Sequence, residues 1–345
     1  MKIAAMSPIQ FRPLVNLGLL GLAVSAFLLI GRSGMISGGL WLTIGYAAAL
    51  LLATLLGVWA IRELWRWGFG GQQWARELSR APLSAWFGMT VILLFVLMGV
   101  FAPVIAPFGE TEIVGQAYST PDATFLLGTD QVGRDVWSRI IFGARTTISI
   151  AVITTLIAFF IGCVLGMLAA TLGKFVDDLL SRIVDLLMAI PQLIFALLAL
   201  SIFGTGLVNM ILIIAVLDST KVFRLVRAVT QGIVAMEYIE AAKLRGEGLF
   251  YLIRREILPN AMAPLVAEFG MRLSFVLLSI AALSFLGLGI QPPTAEWASM
   301  VAENKVMISF GIITPLIPGI FIALLTISIN LVVDWKLHQA SGLKD

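Results

Sequence analysis

Residues 146–171 read TTISIAVITTLIAFFIGCVLGMLAAT, 26 positions without one Asp, Glu, Lys or Arg. As a helix this run would rise about 39 Å, more than the roughly 30 Å of bilayer hydrocarbon. It is a membrane span. Gly162 and Gly166 lie four apart on it, a small-x3-small face suited to close helix packing, and Cys163, the chain's single cysteine, is an inert residue in apolar surroundings.

Outward from this run, similar stretches occur near 14–31, 40–61, 84–106, 184–203, 207–226, 262–288 and 309–333. The expectation is an all-α polytopic integral membrane protein of about eight helices. Composition agrees: of 345 residues 59% are hydrophobic and 12% charged, where a soluble domain carries about 25% charge. A mean hydropathy of +1.00 over the whole length excludes a soluble enzyme and a disordered chain. The sixth stretch is the least apolar, since Asp218, Ser219, Thr220 and Lys221 interrupt it, so that helix needs shielding by protein or water.

With the N-terminus inside, 17 of the 23 Lys and Arg residues are cytoplasmic. Five are outside (Arg32, Arg134, Arg139, Arg145, Lys305), and Arg272 falls within a span. The positive-inside rule therefore places both termini in the cytoplasm, and the net charge of +3 requires no nucleic acid. Residues 62–83, with Arg62, Arg66, Arg76 and Arg80 among tryptophans, read as a basic amphipathic linker on the cytoplasmic face. That divides the chain into a hairpin plus linker at 1–83 and a six-helix core at 84–345. The first run has a small-residue site at Ala23-Val-Ser-Ala26, but Phe27 to Ile30 continue apolar past it, which favours an uncleaved anchor over a signal peptide. The nine tryptophans, Trp86, Trp137, Trp297 and Trp335 among them, fall near span ends and are expected as interfacial anchors.

Catalytic motifs do not assemble. The sole Gly-Lys pair, Gly173-Lys174, has Leu168 where a P-loop needs glycine and Phe175 where it needs a hydroxyl. His338 is the only histidine, so no catalytic residue and no metal ligand set is assigned. The loop 219–260 is richer in content. Tyr238, Ile239, Glu240, Ala241, Ala242, Lys243, Leu244 and Arg245 form helix, Gly246 ends it, and a second helical stretch stops at Pro259. Small Ala241 and Ala242 beside apolar Tyr238, Ile239 and Leu244 make a knob for a partner's groove, or else a helix packed on its own protein.

The run Glu240-Ala241-Ala242-x3-Gly246, followed after ten residues by Ile257-Leu258-Pro259, resembles the EAA loop of ATP-binding-cassette importer permeases. Leu127-Gly128-Thr129-Asp130-x2-Gly133-Arg134-Asp135-x2-Ser138-Arg139 resembles the outside-facing signature of the dipeptide/oligopeptide/nickel branch, and Leu283-Ser-Phe-Leu-Gly-Leu-Gly289 with Gln291-Pro292-Pro293 resembles a third piece of it. The resemblance covers roughly residues 84–340. It implies a six-helix permease core, half of a translocation pathway for peptides or related small solutes in a bacterial inner membrane. It further implies a second, different permease subunit, two cytoplasmic ATPases that hold ATP and Mg, and an extracytoplasmic solute-binding protein. Glu240, Ala241, Ala242 and Gly246, with Tyr238, Leu258 and Pro259, would couple to the ATPase. The hairpin at 14–61 is additional to that plan, and Ile280 stands where the branch often has glutamate.

From the residues alone, Asp135 is placed to cap the helix entering residues 146–171, with Val136, Trp137, Ile140 and Ile141 at the membrane interface. Polar residues inside spans are the pathway candidates. Glu268 and Arg272, four apart, are expected to pair, and Pro191 with Gln192 to kink the fifth span; Asn209, Asp218 and Asn330 are further candidates. The alternative function is an ion-coupled secondary transporter, which would use Glu268, Asp185 and Asp218 but leave the cytoplasmic knob unexplained. A membrane-embedded lipid-modifying enzyme would need clustered acids or histidines.

Overall fold

The computed structural model describes residues 81–340 except Ala123, Gly311 and Ile313. The expected spans at 14–31 and 40–61, the linker up to residue 80 and Trp41, Trp59, Trp65, Trp67 and Trp74 lie outside the described residues. The described residues fall into two compact units, one of residues 81–145 with Pro293–Trp335 and the other of Thr146–Pro292 with residues 336–340.

In the first unit, α1 (Leu83–Val100) is followed by a short helix, α2 (Ala102–Ile105), and a long loop to Asp135. The long helix α3 (Val136–Thr171) begins here and continues in the second unit. It starts well before the apolar run that announced it, because the Asp135 side chain caps it: Oδ2 accepts from Ser138 N at 2.8 Å and Ser138 Oγ at 2.6 Å. The chain returns as α9 (Trp297–Asn304), a 3-10 turn (Lys305–Phe310) and α10 (Leu316–Ala340). The last expected span thus starts at 316 rather than 309, since Pro315 disfavours helix in the residue before it.

The core of this unit corrects the expectation for Trp297. Its indole is fully buried, donates from Nε1 to the Ile140 carbonyl at 2.9 Å, and packs against Phe95 and Phe321 at centroid distances of 5.4 and 5.6 Å. Gly143 makes the room: a Cβ there would sit 2.7 Å from the indole. Trp86 is also buried, with Ala81 and Ala85, and Val136, Ile140 and Ile141 face protein and not the membrane interface. An indole with a satisfied N–H packs as well in a core as at headgroup level.

The second unit holds the rest of α3, then α4 (Lys174–Met188), α5 (Gln192–Phe203), α6 (Leu207–Val234), α7 (Glu237–Leu244) and α8 (Leu249–Phe285). Gly162 and Gly166 are the packing face expected: a Cβ at either would press on Val222 or Val226 of α6. Met167, Val222, Val226, Ala261 and Leu265 form the buried centre where α3, α6 and α8 meet.

Two expectations fail here. The fifth span is not one kinked helix. It breaks at Ala189-Ile190-Pro191 into α4 and α5, bent by 87°, because Pro191 cannot donate to the preceding turn and the charged face of α4 is held elsewhere. Nor does the second loop helix stop at Pro259. Residues Leu252–Ile257 form a π turn, and α8 runs on through Pro259 to Phe285. The wider π turn absorbs the missing proline N–H without ending the helix. Among the described residues, α1, α3, α8 and α10 are long and apolar enough to cross a membrane, with the bent pair α4–α5 as a fifth. α6, the sixth expected span, is a 28-residue helix whose apolar character is broken by Asp218, Lys221 and Arg224.

Candidate functional site

Three groups of sequence-marked residues are brought together, each within one unit. The first is the knob. Glu237 and Glu240 lie in the first turn of α7 and Lys243 in its last, complementing the helix dipole. Ile239 and Ala242 are fully buried against Leu252 and Ile257, so the inward face is locked onto the π turn. Tyr238, Glu240, Ala241 and Leu244 face outward, Leu244 being 84% exposed. The stop is a Schellman motif: Gly246 N donates to Lys243 O at 2.9 Å, and Glu247 N to Ala242 O at 3.2 Å. It requires Gly246 at φ +83°. The π turn, which has no composition signal, sets Leu258 and Pro259 at the start of the following helical segment, and Asn260 Nδ2 reaches Tyr238 Oη at 3.3 Å.

The second group, in the first unit, is the Gly128–Asp135 signature. It folds on itself. Asp130 is buried and accepts from the backbone N–H of Val132 and Arg134, from Arg134 Nε at 2.6 Å and from Arg139 Nη1 at 2.5 Å. Glu303 of α9 balances the second cation, at 3.1 Å from Arg134 Nη2. Thr129 Oγ1 donates to Gln116 O and accepts from Ser119 N, while Gly133, at φ +89°, leaves room for the Gly115 carbonyl. The sequence motif held Asp130, Arg134, Asp135 and Arg139 but not Glu303, because the closing acid lies 164 or more positions away on another helix.

Burial alone would push the Asp130 carboxyl up, but backbone N–H groups of Arg134 and Val132 and the Arg134 guanidinium outweigh it and hold the carboxyl below the usual range. A depressed folded-state pKa stabilises above the unfolded value, and that contribution is lost as pH falls through the folded value. Melting in detergent between pH 7 and 3 should therefore show a steep acid-side loss. Asp130→Asn should flatten it and cost about 1–3 kcal/mol at neutral pH, the scale of lost charge-assisted hydrogen bonds.

The third group, in the second unit, is a charged network linking α5, α6 and α8. Asp218, fully buried, accepts from Gln192 Nε2 at 3.1 Å and lies 3.3 Å from Lys221 Nζ and 3.8 Å from Arg272 Nη1. Arg272 Nε is 2.7 Å from Glu268 Oε1, the pair expected from their spacing, and Lys221 Nζ donates to Gln192 Oε1 at 2.5 Å. Two cations meet two anions, so the cluster is neutral. Asp218 and Lys221 are its centre, although the sequence pointed first to Gln192, Glu268 and Arg272. Pro191 sits at its edge as the N-cap of α5. Asn209 does not join it; its Nδ2 donates to the carbonyls of Phe203 and Gly204 at 2.7 and 3.2 Å. Asn330 belongs to the first unit. The third sequence motif is a helix stop: Gly287 at φ +83° and Leu288 N donating to Leu283 O at 3.0 Å end α8, and Ile280 is buried.

These geometries can be set beside known proteins. A family model for the inner membrane component of binding-protein-dependent transport systems matches residues 162–338. A second, for the N-terminal transmembrane domain of oligopeptide transport permease C, matches residues 71–122. The di/tripeptide transport system permease protein DppC of Pseudomonas aeruginosa is 37% identical over 265 residues, covering 75% of this chain and 85% of that protein. The dipeptide transport system permease protein DppC of Haemophilus influenzae is 35% identical over 269 residues, 76% of this chain and 89% of the relative. The glutathione transport system permease protein GsiD of Pectobacterium atrosepticum is 30% identical over 288 residues, 83% and 91% of the two chains. An all-helical membrane chain with these motifs in this order thus belongs to the family of binding-protein-dependent transport system inner membrane components.

Proposed function

We propose that this chain forms half of the translocation pathway of an ATP-binding-cassette importer for peptides or related small solutes, with α7 as its coupling helix. As a member of its family it is a multi-pass inner-membrane transport subunit and not a catalytic one. The reading pairs it with a second permease subunit, two cytoplasmic ATPases that hold ATP and Mg, and an extracytoplasmic binding protein. Both termini and α7 lie in the cytoplasm in this reading, with the Asp130 loop outside, as the distribution of Lys and Arg favours. Residues 1–83 form a hairpin and linker preceding the core at 84–345, and Gln192, Glu268 and Arg272 stand beside the pathway. The relatives' transport of dipeptides and glutathione favours peptide-like cargo.

One observation carries this: α7 is anchored by Ile239 and Ala242 and turns Tyr238, Glu240, Ala241 and Leu244 outward, so a partner that seats on it moves the π turn and α8 with it. An ion-coupled secondary transporter has no use for such a knob, and the family is that of binding-protein-dependent systems. Purification in detergent tests the reading. The ATPase should co-purify with the parental chain and be lost with the double substitution Glu240→Lys/Gly246→Val. Gradient-driven uptake by the chain alone in vesicles would overturn it.

A further inference from the structure

α5 is a short rod between two sharp turns of the chain. At its N-terminal end are Ala189, Ile190 and Pro191, where the chain turns by 87° from α4, and at its C-terminal end Gly204 at φ +92° leads through Thr205 to Gly206. Ala196, Ala199 and Leu200 of its 12 residues are buried, with Phe195 and Leu197 half-buried beside them. Two amides also tether it to α6. Asn209 clasps the carbonyls of Phe203 and Gly204 at one end; at the other, Gln192 bridges Asp218 and Lys221.

The two tethers differ in kind. Asn209 bonds main chain only five and six positions away, across the turn that joins the two helices. Gln192 reaches 26 and 29 positions along the chain to side chains of another helix, through hydrogen bonds from a neutral amide. Its release would leave Lys221 still 3.3 Å from Asp218 and Arg272 still paired with Glu268, so no charge would be stranded. Asp218 lies 11 residues along α6 from its start and Gln192 11 residues from the far end of α5, about 16.5 Å in each case at 1.5 Å per residue, so the contact is a long way from the turn that joins the two helices.

We propose that the Gln192 amide is a releasable latch, which holds α5 against α6 in one transport state and opens in the other while Asn209 stays closed. Gln192 is then a positioning residue of the transport cycle and not a contact for cargo. The inference goes beyond the importer reading and rests on it; ATP-driven uptake by the parental complex tests that reading separately.

The test uses the complete importer in vesicles. Cys163 is this chain's only cysteine, so Cys163→Ala gives a background for Gln192→Cys with Lys221→Cys, joined by a short, reducible bis-thiosulfonate. Cross-linking should reduce binding-protein-dependent uptake more than tenfold below that of the same cysteine pair left unlinked, with return to that unlinked level on reduction. Full uptake in the cross-linked complex would overturn the proposal. Gln192→Met needs no cross-link and keeps the side-chain length without the hydrogen bonds. It should lower the ratio of binding-protein-stimulated to basal ATP hydrolysis three- to tenfold, with the KM for loaded binding protein unchanged. An unchanged ratio would show that the contact is merely structural.

Discussion

Valine at position 246 is expected to abolish transport-coupled ATP hydrolysis in the assembled importer while leaving the chain inserted in the membrane. The residue occupies φ +83°, and nothing lies within 4 Å of where its Cβ would be, so a substitution meets no steric wall. The cost is conformational. A left-handed backbone costs an ordinary residue about 1–2 kcal/mol, and branching at Cβ makes it worse. That is enough to unwind a one-motif helix stop, and with it go the hydrogen bonds from Gly246 to Lys243 and from Glu247 to Ala242. The outward face of α7 then loses its angle to the π turn, and a displacement delivered to it is no longer passed on. Two substitutions separate this account from general damage to the loop. Gly248, two positions on, has φ −76° and equally open surroundings, so Gly248→Val should leave coupling near the parental value. Asparagine tolerates the left-handed region, so Gly246→Asn should retain most activity. The measurement is ATP hydrolysis with and without loaded binding protein. Stimulation by Gly246→Val equal to the parental value would remove α7 from the coupling route.

The same residue shows how far a sequence can be read. Helix starts and stops are local, and Asp135 and Gly246 sit in short patterns whose physics is complete within a few residues, so their conformations follow from the pattern. The spans near 84–106, 146–171, 262–288 and 309–333 were legible because hydrocarbon thickness imposes a length on any apolar run. Failures came where a distant partner decides. Pro191 signalled a kink, but whether a proline bends a helix or breaks it depends on what its neighbours hold. Here Arg227 pairs with Asp177 of α4, and Gln192 is tied to Asp218 and Lys221. Pro259 looked like a stop because proline usually is one, and the π turn before it has no composition signal. Trp297 looked interfacial because indoles favour headgroups, whereas Gly143, 154 positions earlier, had opened a core site for it. Arg139 and Glu303 show the same limit: the charges are plain in the sequence, but not their pairing.

Asp218→Ala should be the most destabilising single change in the second unit's polar network. The carboxylate is fully buried and serves Gln192, Lys221 and Arg272 at once. Its removal leaves Lys221 with a neutral amide as its remaining partner in the network, and Arg272 with Glu268. The lysine left behind is one-third exposed, so water screens part of the stranded charge, and the loss should be about 2–3 kcal/mol rather than the roughly 3–5 of a fully buried pair. At roughly 1–2 °C per kcal/mol for a chain of 345 residues, the melting midpoint in detergent should fall by about 2–6 °C. If the stranded charge is the cause, neutralising it should help: Asp218→Asn with Lys221→Gln should recover more than half of the loss, although it removes a second native side chain. A control is available within the same unit. Asp185 pairs with Arg224 at 2.6 Å, a shorter distance than any Asp218 contact, but both side chains are more than half exposed, so water screens the pair and Asp185→Ala should barely move the midpoint. Equal losses from Asp185→Ala and Asp218→Ala would mean that distance and not burial sets the cost, and the network would then be one ion-pair cluster among others, with no special hold on α5, α6 and α8.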